Sequence, residues 1–586
     1  MNPENFFCHP QTPGQKQYEA LRAFYVEHVP GNEVARRYGY TYAAFNSLRQ
    51  RFKSGGVEFF VTPPRGPKGP RMDPAVRAKI IECRREGVSS GQIAEILETH
   101  GTPVCLSAVA RILKEEGFPK LPRRTQLIIG LTKDNTIVPQ SAASFKPESL
   151  DGWEGESAVG GIFLMAPLLE HFGIPKLIDK AGLPSSAKIS ALGYVLSMLA
   201  LKLIGKERLS QIDDFNFDRG LGLFAGLNVL PKCTAISTYS YRLSSKHIRD
   251  FMTGFVTCQN KFKIYGSNTI NLDFHTIQHY GDESILEEHW SGARSKRVKG
   301  ALNLIAQDCD SKCQIYSDAD ILKSEADDQI LEFVKFWSGI RGPRFRQTLV
   351  FDSKLTTYEN LKALDADGVK FITLRRRGKN LIKDAELIAP DQWKRVNIDS
   401  ARRKYKNPMV HDANTYIKEY GEIRQLIMKG NGHEEPAFFI TNDDDASTAE
   451  IILRYAKRWR IENSIEEAVS FFNLNALSSP ILIKINFDAV LTMVADTLYY
   501  HLAQSLRGFE SCNAERIFRH FVDVPAKIKI NGDEIQVHYP LRAHSPVLRS
   551  SGLEKWAPRI SWLGNRKIRF SWGEPETTNL IHNYEN

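Results

Sequence analysis

Between residues 269 and 374 the apolar pattern alternates between a strand period and a helix period, which constrains the fold more than any other feature of the chain. Residues 269–276 (TINLDFHT), 301–307 (ALNLIAQ) and 314–319 are short, apolar and strand-like. Residues 327–337 then place Ile330, Phe333, Val334 and Trp337 on one side of an amphipathic helix. A buried strand at 348–352 (TLVFD), a helix at 358–364 and a strand at 370–374 (KFITL) follow. Apolar strands interleaved with one-sided helices fold as a layered α/β domain, because each apolar face needs another element to cover it.

Three strands, helix, strand, helix, strand is the element order of an RNase H-like fold. That fold carries one acid on its first strand and another near the end of its fourth, and Asp273 and Asp352 fall at those points. A third acid is expected from a later helix, predicted at 448–472 after a strand at 437–441 (AFFIT). On that helix Tyr455, Arg458 or Trp459, Glu462 and Glu466 are three or four apart and share a face. The 110 positions from Asp352 to Glu462 exceed one strand and one helix. They imply an insertion at about 376–435, β-rich by its strand-like runs at 394–398 and 422–428. Each acid has rivals: Asp308 and Asp318 for the first, and Glu466 or Glu467 for the third. Glu462 also has a plain role open to it, an i,i+4 pair with Arg458. His275 and His279 read as packing or DNA-facing residues rather than metal ligands, and Trp393 as a core residue or a stacking platform for an unpaired base.

The chain's net charge is +10, and residues 1–125 hold 19 Lys and Arg against 12 Asp and Glu. A basic excess confined to one end is the electrostatic footprint of nucleic-acid binding. Two helix-turn-helix patterns account for it. In 31–52 a helix (33–38) reaches Gly39, a second starts near the N-cap Thr41, Phe45 and Leu48 share one face, and Arg49 and Arg51 point elsewhere. Leu21, Phe24 and Tyr25 supply a helix beneath. In 89–117 Ile93, Ala94 and Leu97 form one stripe. After a longer turn with Gly101 and Pro103, Ser107 is expected to cap a helix bearing Val109, Arg111, Ile112 and Leu113. The tether at 61–71 (VTPPRGPKGPR) has Arg65, Lys68 and Arg71 three apart among four prolines. Such a segment suits a narrow minor groove or a solvated linker.

Eight scattered cysteines show no zinc-binding spacing, the N-terminus lacks a signal pattern, and the apolar run at 189–204 is broken by Lys202. These features point to a reduced, cytoplasmic protein without a membrane partner. Toward the C-terminus an amphipathic helix is expected at 485–507, and a hairpin at 527–539 around Asn531-Gly532. The expected organisation is multidomain: modules at 1–56 and 73–125 joined by a linker at 57–72, and a mostly helical region at 126–260. A catalytic domain at 261–480 and a mixed C-terminal region at 481–586 complete it.

Tyr455-x2-Arg458-x3-Glu462, with LVFDSKLTTYENL and GVKFITLRRRG upstream, resembles the signature of bacterial insertion-sequence transposases of the DDE class. The likeness spans about 160–480. It implies Asp273, Asp352 and Glu462 as catalytic metal ligands holding two Mg²⁺ ions (Mn²⁺ substituting), and Tyr455 and Arg458 as DNA contacts. It also implies double-stranded element ends and target DNA as partners, with a homodimer on DNA. The signature's lysine seven residues past the Glu is here Val469, so that phosphate contact is absent or supplied elsewhere. A domesticated nuclease and a DNA-binding regulator with an inactive domain are the alternatives.

Overall fold

The computed structural model describes residues 10, 12–57, 59, 73–85, 88–116, 118, 140–280, 286–291, 295–398, 407–430, 432, 434–476, 479–556 and 558–573. The basic tether with Arg65, Lys68 and Arg71 lies outside the described residues. The chain divides into two compact units, 1–136 and 137–586.

Among its described residues the first unit holds two three-helix groups, each around its own apolar core. Helices Pro13–Tyr25, Gly31–Arg37 and Tyr42–Lys53 bury Leu21, Val34, Phe45 and Leu48. Thr41 caps the third by accepting the Ala44 N–H at 3.2 Å, and Gly39 supplies the left-handed φ of +65° at the turn. Helices Pro74–Arg85, Ser90–Thr99 and Leu106–Glu115 bury Ile80, Ile93, Val109 and Ile112. Ser89 and Gln92 form a capping box on the middle helix. One expected cap moves: Cys105, not Ser107, is the N-cap of the last helix, which starts before Ser107.

The second unit is built on a ten-stranded mixed sheet and a five-stranded one. It opens on β1 (Glu154–Ser157), whose partner lies at the other end of the unit. The large sheet is centred on β2 (Thr269–Gln278). The short β3 (Glu288–Ser291) and the long β4 (Lys296–Asp308) follow, β4 antiparallel to β2. β5 (Gln314–Ile321) pairs with β4 on its other edge. β6 (Thr348–Phe351) runs parallel to β2, and β7 (Phe371–Leu374) parallel to β6. Parallel neighbours need crossovers, and helices Gln329–Arg341 and Tyr358–Ala366 provide them.

The expected insertion does not form a separate sheet. β8 (Lys394–Arg395), β9 (Met409–Ile417), β10 (Gly421–Lys429) and β11 (Ala437–Thr441) prolong the central sheet, with β11 antiparallel to β7. The open edge of β7 is thereby paired rather than left exposed.

The expected hairpin is present as β12 (Ala526–Asn531) and β13 (Glu534–Tyr539), with Gly532 at φ +54°. β14 (Arg559–Ile560) and β15 (Arg566–Trp572) complete that sheet, and β1 closes its other edge against β12. Gly161 follows β1 so closely against the Phe521 carbonyl that a Cβ would overlap it. From residue 137 onward the chain is one compact unit, and among its described residues one apolar core runs from Leu150 to Phe570.

The helix expected to be amphipathic at 485–507 spans Leu482–Ser505 and is buried on nearly every side from Ile485 to Ala503. It is the central post of the unit, packed on β5 and on helices Ala191–Leu203 and Ser245–Lys261. Lys202, which interrupts the apolar run, is buried and donates to Asp488 at 2.6 Å and to the Phe472 carbonyl at 2.9 Å. Asp488→Ala would strand this ammonium in the core, so a loss of about 3 kcal/mol is expected. A lowered thermal midpoint of the second unit reads it out. Among the described residues no single helix is long and apolar enough to cross a membrane.

Candidate active site

Sheet register brings the first two acids together. β2 and β6 are parallel, with Asn271 opposite Val350. Two residues further along each chain come Asp273, still in β2, and Asp352, just past the end of β6, the two strands lying about 4.8 Å apart. Asp352 directly follows the last residue of β6, where its Oδ1 accepts the Ser353 N–H at 2.7 Å.

The third acid arrives on a helix that differs from the expected one. Residues 448–472 are not one helix but two, Thr448–Ala456 and Trp459–Ser470. At the join the N–H groups of Arg458, Arg460 and Ile461 reach back three residues, to Tyr455, Lys457 and Arg458, so the backbone tightens for one turn. Glu462 lies in the first turn of the second helix, which packs on β2. Arg458, at the join, donates to Asp273 Oδ2 at 2.8 Å and to Glu462 Oε1 at 2.6 Å. The i,i+4 pair foreseen for Glu462 therefore exists, and the same guanidinium also holds the strand acid. Tyr455 packs edge-on against Phe439, with its ring 5.7 Å from the Arg458 guanidinium.

Burial pushes the Asp273 carboxyl up to about 6; Arg458 and the Phe274 N–H pull it down, while Glu462 and Asp352 push it further up. Burial likewise lifts the Tyr455 phenol to about 12, with Asp352 and Asp273 adding to the rise. Asp273 thus feels the charges of Arg458, Glu462 and Asp352, and Tyr455 those of Arg458, Asp352 and Asp273.

The rival acids have other work. Asp308 accepts N–H groups from Ser267, Asp310 and Ser311, shaping the turn after β4. Asp318 accepts from the Tyr316 hydroxyl at 3.2 Å and the Asp320 N–H at 2.9 Å. Glu467 accepts the Ala514 N–H, and burial raises both its carboxyl and that of Asp496. Glu466 is exposed. His275 Nε2 bonds Asn475 Oδ1 at 2.8 Å, and burial lowers its pKa. Trp393 is 7% exposed, packed with Ile427 and Phe438 beneath Lys429, so the core role holds for it. Val469 packs beside Ile277 and Leu474.

Sequence reasoning missed Trp290 and Lys354. Lys354, two residues past Asp352, lies 6.0 Å over the Trp290 ring, and that indole is 56% exposed. An exposed tryptophan on a strand as short as β3 leaves no periodic signal to read. In the first unit Arg49 stacks on Phe24 at 3.7 Å and donates to Asn46, whereas Arg51 and Arg111 are exposed. Arg111 lies only loosely beside Glu115, at 3.8 Å.

The three candidate acids are hard oxygen donors, the kind Mg²⁺ or Mn²⁺ takes. Arg458 already places a cation between Asp273 and Glu462. Among the described residues no three acidic, histidine or cysteine side chains are grouped so that they could hold a metal ion.

Residues 319–495 match the family described as "Transposase DDE domain". The DDE-domain match includes Asp352, Arg458 and Glu462, whereas Asp273 precedes it and joins them through the β2–β6 register and the Arg458 ion pair. No curated protein matches the chain significantly. Among solved structures, a piggyBac transposase synaptic complex with hairpin DNA is 11% identical. That alignment covers 63% of this chain and 82% of the other, with a TM-score of 0.35. The Mos1 strand transfer complex is 12% identical over 63% of this chain and 78% of the other, with a TM-score of 0.13. At such scores neither likeness carries an argument.

Proposed function

We propose that this chain is a DNA transposase that binds the ends of a mobile element and cuts and rejoins DNA at Asp273, Asp352 and Glu462. The observation that carries the reading is Arg458 bridging Asp273 of β2 and Glu462 of a later helix, with Asp352 at the end of β6 near enough to raise the Asp273 carboxyl. The strand order β5-β4-β2-β6-β7, with the last three parallel, supports an RNase H-like catalytic core. The two three-helix groups, with a tight turn before the last helix of the first and a longer one in the second, support paired helix-turn-helix end readers. In this reading Arg51 and Arg111, with the tether's Arg65, Lys68 and Arg71, meet DNA.

Divalent cations, when bound by the three acids, supply positive charge to the attacking and leaving oxygens of a phosphodiester. The chain's own groups do the rest. Asp273, in β2, and Asp352, just past β6, present their oxygens from neighbouring backbone segments. Arg458 compensates their repulsion before DNA arrives and then turns to the phosphate backbone. Tyr455, with a phenol raised to about 12, stays a neutral donor. Attack by water breaks one P–O bond and frees a 3′-OH. That hydroxyl then attacks a target phosphodiester, exchanging one P–O bond for another. Both element ends must be held at once, so the working form is a homodimer on DNA.

The test is purified protein with DNA carrying the sequences that flank its gene, plus Mg²⁺ or Mn²⁺. Fixed, metal-dependent breaks and joined products are expected. Breaks without joining would indicate a domesticated nuclease, and tight specific binding without any breaks a regulator.

A further inference from the structure

The helix that carries Glu462, Trp459–Ser470, has little apolar surface to dock with: only Ile461 and Ala468 of its 12 residues are buried. Apolar packing alone therefore sets its rotation about its own axis weakly. Two polar ties add to it, both from the turn after β4. Arg460 donates to the Cys309 carbonyl at 2.6 Å and to Asp310 at 3.3 Å. One turn on, Ser464 Oγ accepts from Gln307 Nε2, which also donates to the Lys312 carbonyl at 2.7 Å. Residues 460 and 464 are four apart and share a helix face, so Glu462, midway between them, projects from the opposite one. There its side chain is 55% exposed and meets Arg458.

The backbone around Gln307 is shaped for that bond. The β4–β5 ladder shifts register between Ala306 and Gln307, and such a shift re-aims the side chain beside it. Lys312 takes a left-handed φ of +64°, costly for a residue with a Cβ, and its carbonyl faces the Gln307 amide. A carbonyl can only accept, so the Nε2 end of that amide is the one turned toward Lys312 and Ser464.

The other end of the amide works against the fold. Gln307 is fully buried, and its Oε1 has no partner among the described residues. A buried acceptor without a donor costs stability, so a methionine of similar shape would cost the core less at that end. Glutamine at 307 is accounted for by what Nε2 holds, the turn on one side and the Glu462 helix on the other.

We propose that Gln307 and Ser464 are positioning residues, which fix the rotation of this helix and with it the direction of the Glu462 carboxylate beside Asp273. Both act through the helix rather than on DNA. Their role rests on the transposase reading, in which Glu462 is one of the cutting acids.

The test uses the full chain carrying Gln307→Met, Ser464→Ala, both together, or Ser464→Thr, which keeps the hydroxyl. Backbone hydrogen exchange over 459–470, the melting midpoint, and kcat and KM for cutting the element end are measured on each. Gln307→Met and Ser464→Ala are each expected to speed exchange over 459–470 and to lower kcat about tenfold or more, because a small misplacement of a reacting group is costly. KM is expected to hold, and the midpoint to stay within about 3 °C. The double variant is expected to lose no more than either single one, since both remove the same tie. Ser464→Thr is expected to restore exchange and kcat. Unchanged exchange in the first two variants overturns the proposal, as does a fall in kcat that KM and the midpoint follow, the mark of general destabilisation. A loss in Ser464→Thr equal to that in Ser464→Ala overturns it too. If the wild type cuts no element end, the transposase reading itself fails, and the exchange data, which need no activity, still decide whether the tie sets the helix.

Discussion

Asp273→Ala is expected to lower DNA cleavage by a factor on the order of 10³ or more while leaving binding of the specific DNA end unchanged. The carboxylate sits between Arg458 and the Asp352 strand, so its loss removes one of three oxygen donors at the place where charge develops. Charge stabilisation of a transferring phosphoryl group is worth several kcal/mol, which converts to that factor in rate. End recognition is assigned to the first unit, at 1–136, so a mobility-shift titration with the end sequence is expected to match the wild type. Glu462→Ala is expected to behave alike, whereas Glu467→Ala, at the Ala514 turn, is expected to impair folding rather than chemistry alone. Full cleavage by Asp273→Ala would remove the site assignment.

Asp273→Asn is expected to be more stable than the wild type at pH 8, although inactive. Burial raises the carboxyl from 3.8 to about 6 in the folded chain, and its side chain is only 23% exposed. Below the unfolded value both states carry the proton, and the group costs nothing. Between about 4 and 6 the folded state keeps a proton the unfolded chain has lost, so wild-type stability falls as pH rises. Above about 6 both are ionised and the full cost, on the order of 2–3 kcal/mol, is present. The asparagine variant escapes it. Melting curves at pH 8 and pH 5 are expected to show a gap that narrows at the lower pH. Mg²⁺ is expected to raise the wild-type midpoint at pH 8, by relieving the same repulsion, and to leave the variant nearly unmoved. Equal midpoints at pH 8 would mean that the site tolerates the charge without help.

Local order was legible because it is written in local periods. The strand at 437–441, the core residues Ile330, Phe333, Val334 and Trp337, the Thr41 cap and the Asn531-Gly532 turn all follow from neighbouring residues, and the structure has them. β3 and β9 escaped notice: β3 is four residues long, and β9 carries polar residues at Asp412, Asn414 and Thr415 that give no apolar alternation. The break at Lys457 and Arg458 was also invisible, since neither residue opposes a helix and only the pull of Asp273 and Glu462 on one guanidinium accompanies the kink.

The sequence by itself determined the strands and helices that carry a clear apolar period, and that Glu462 stands one turn beyond Arg458. Those properties depend on side-chain spacing along a single element. Only the tertiary structure decided that Asp273 and Asp352 lie side by side, because that follows from which strand edges meet and in what register. It also decided that β1 closes a sheet with β12, that the insertion prolongs the central sheet through β11, and that the helix Leu482–Ser505 is buried all round. Each joins residues far apart in the chain, where backbone edges and apolar faces find partners that no local pattern names.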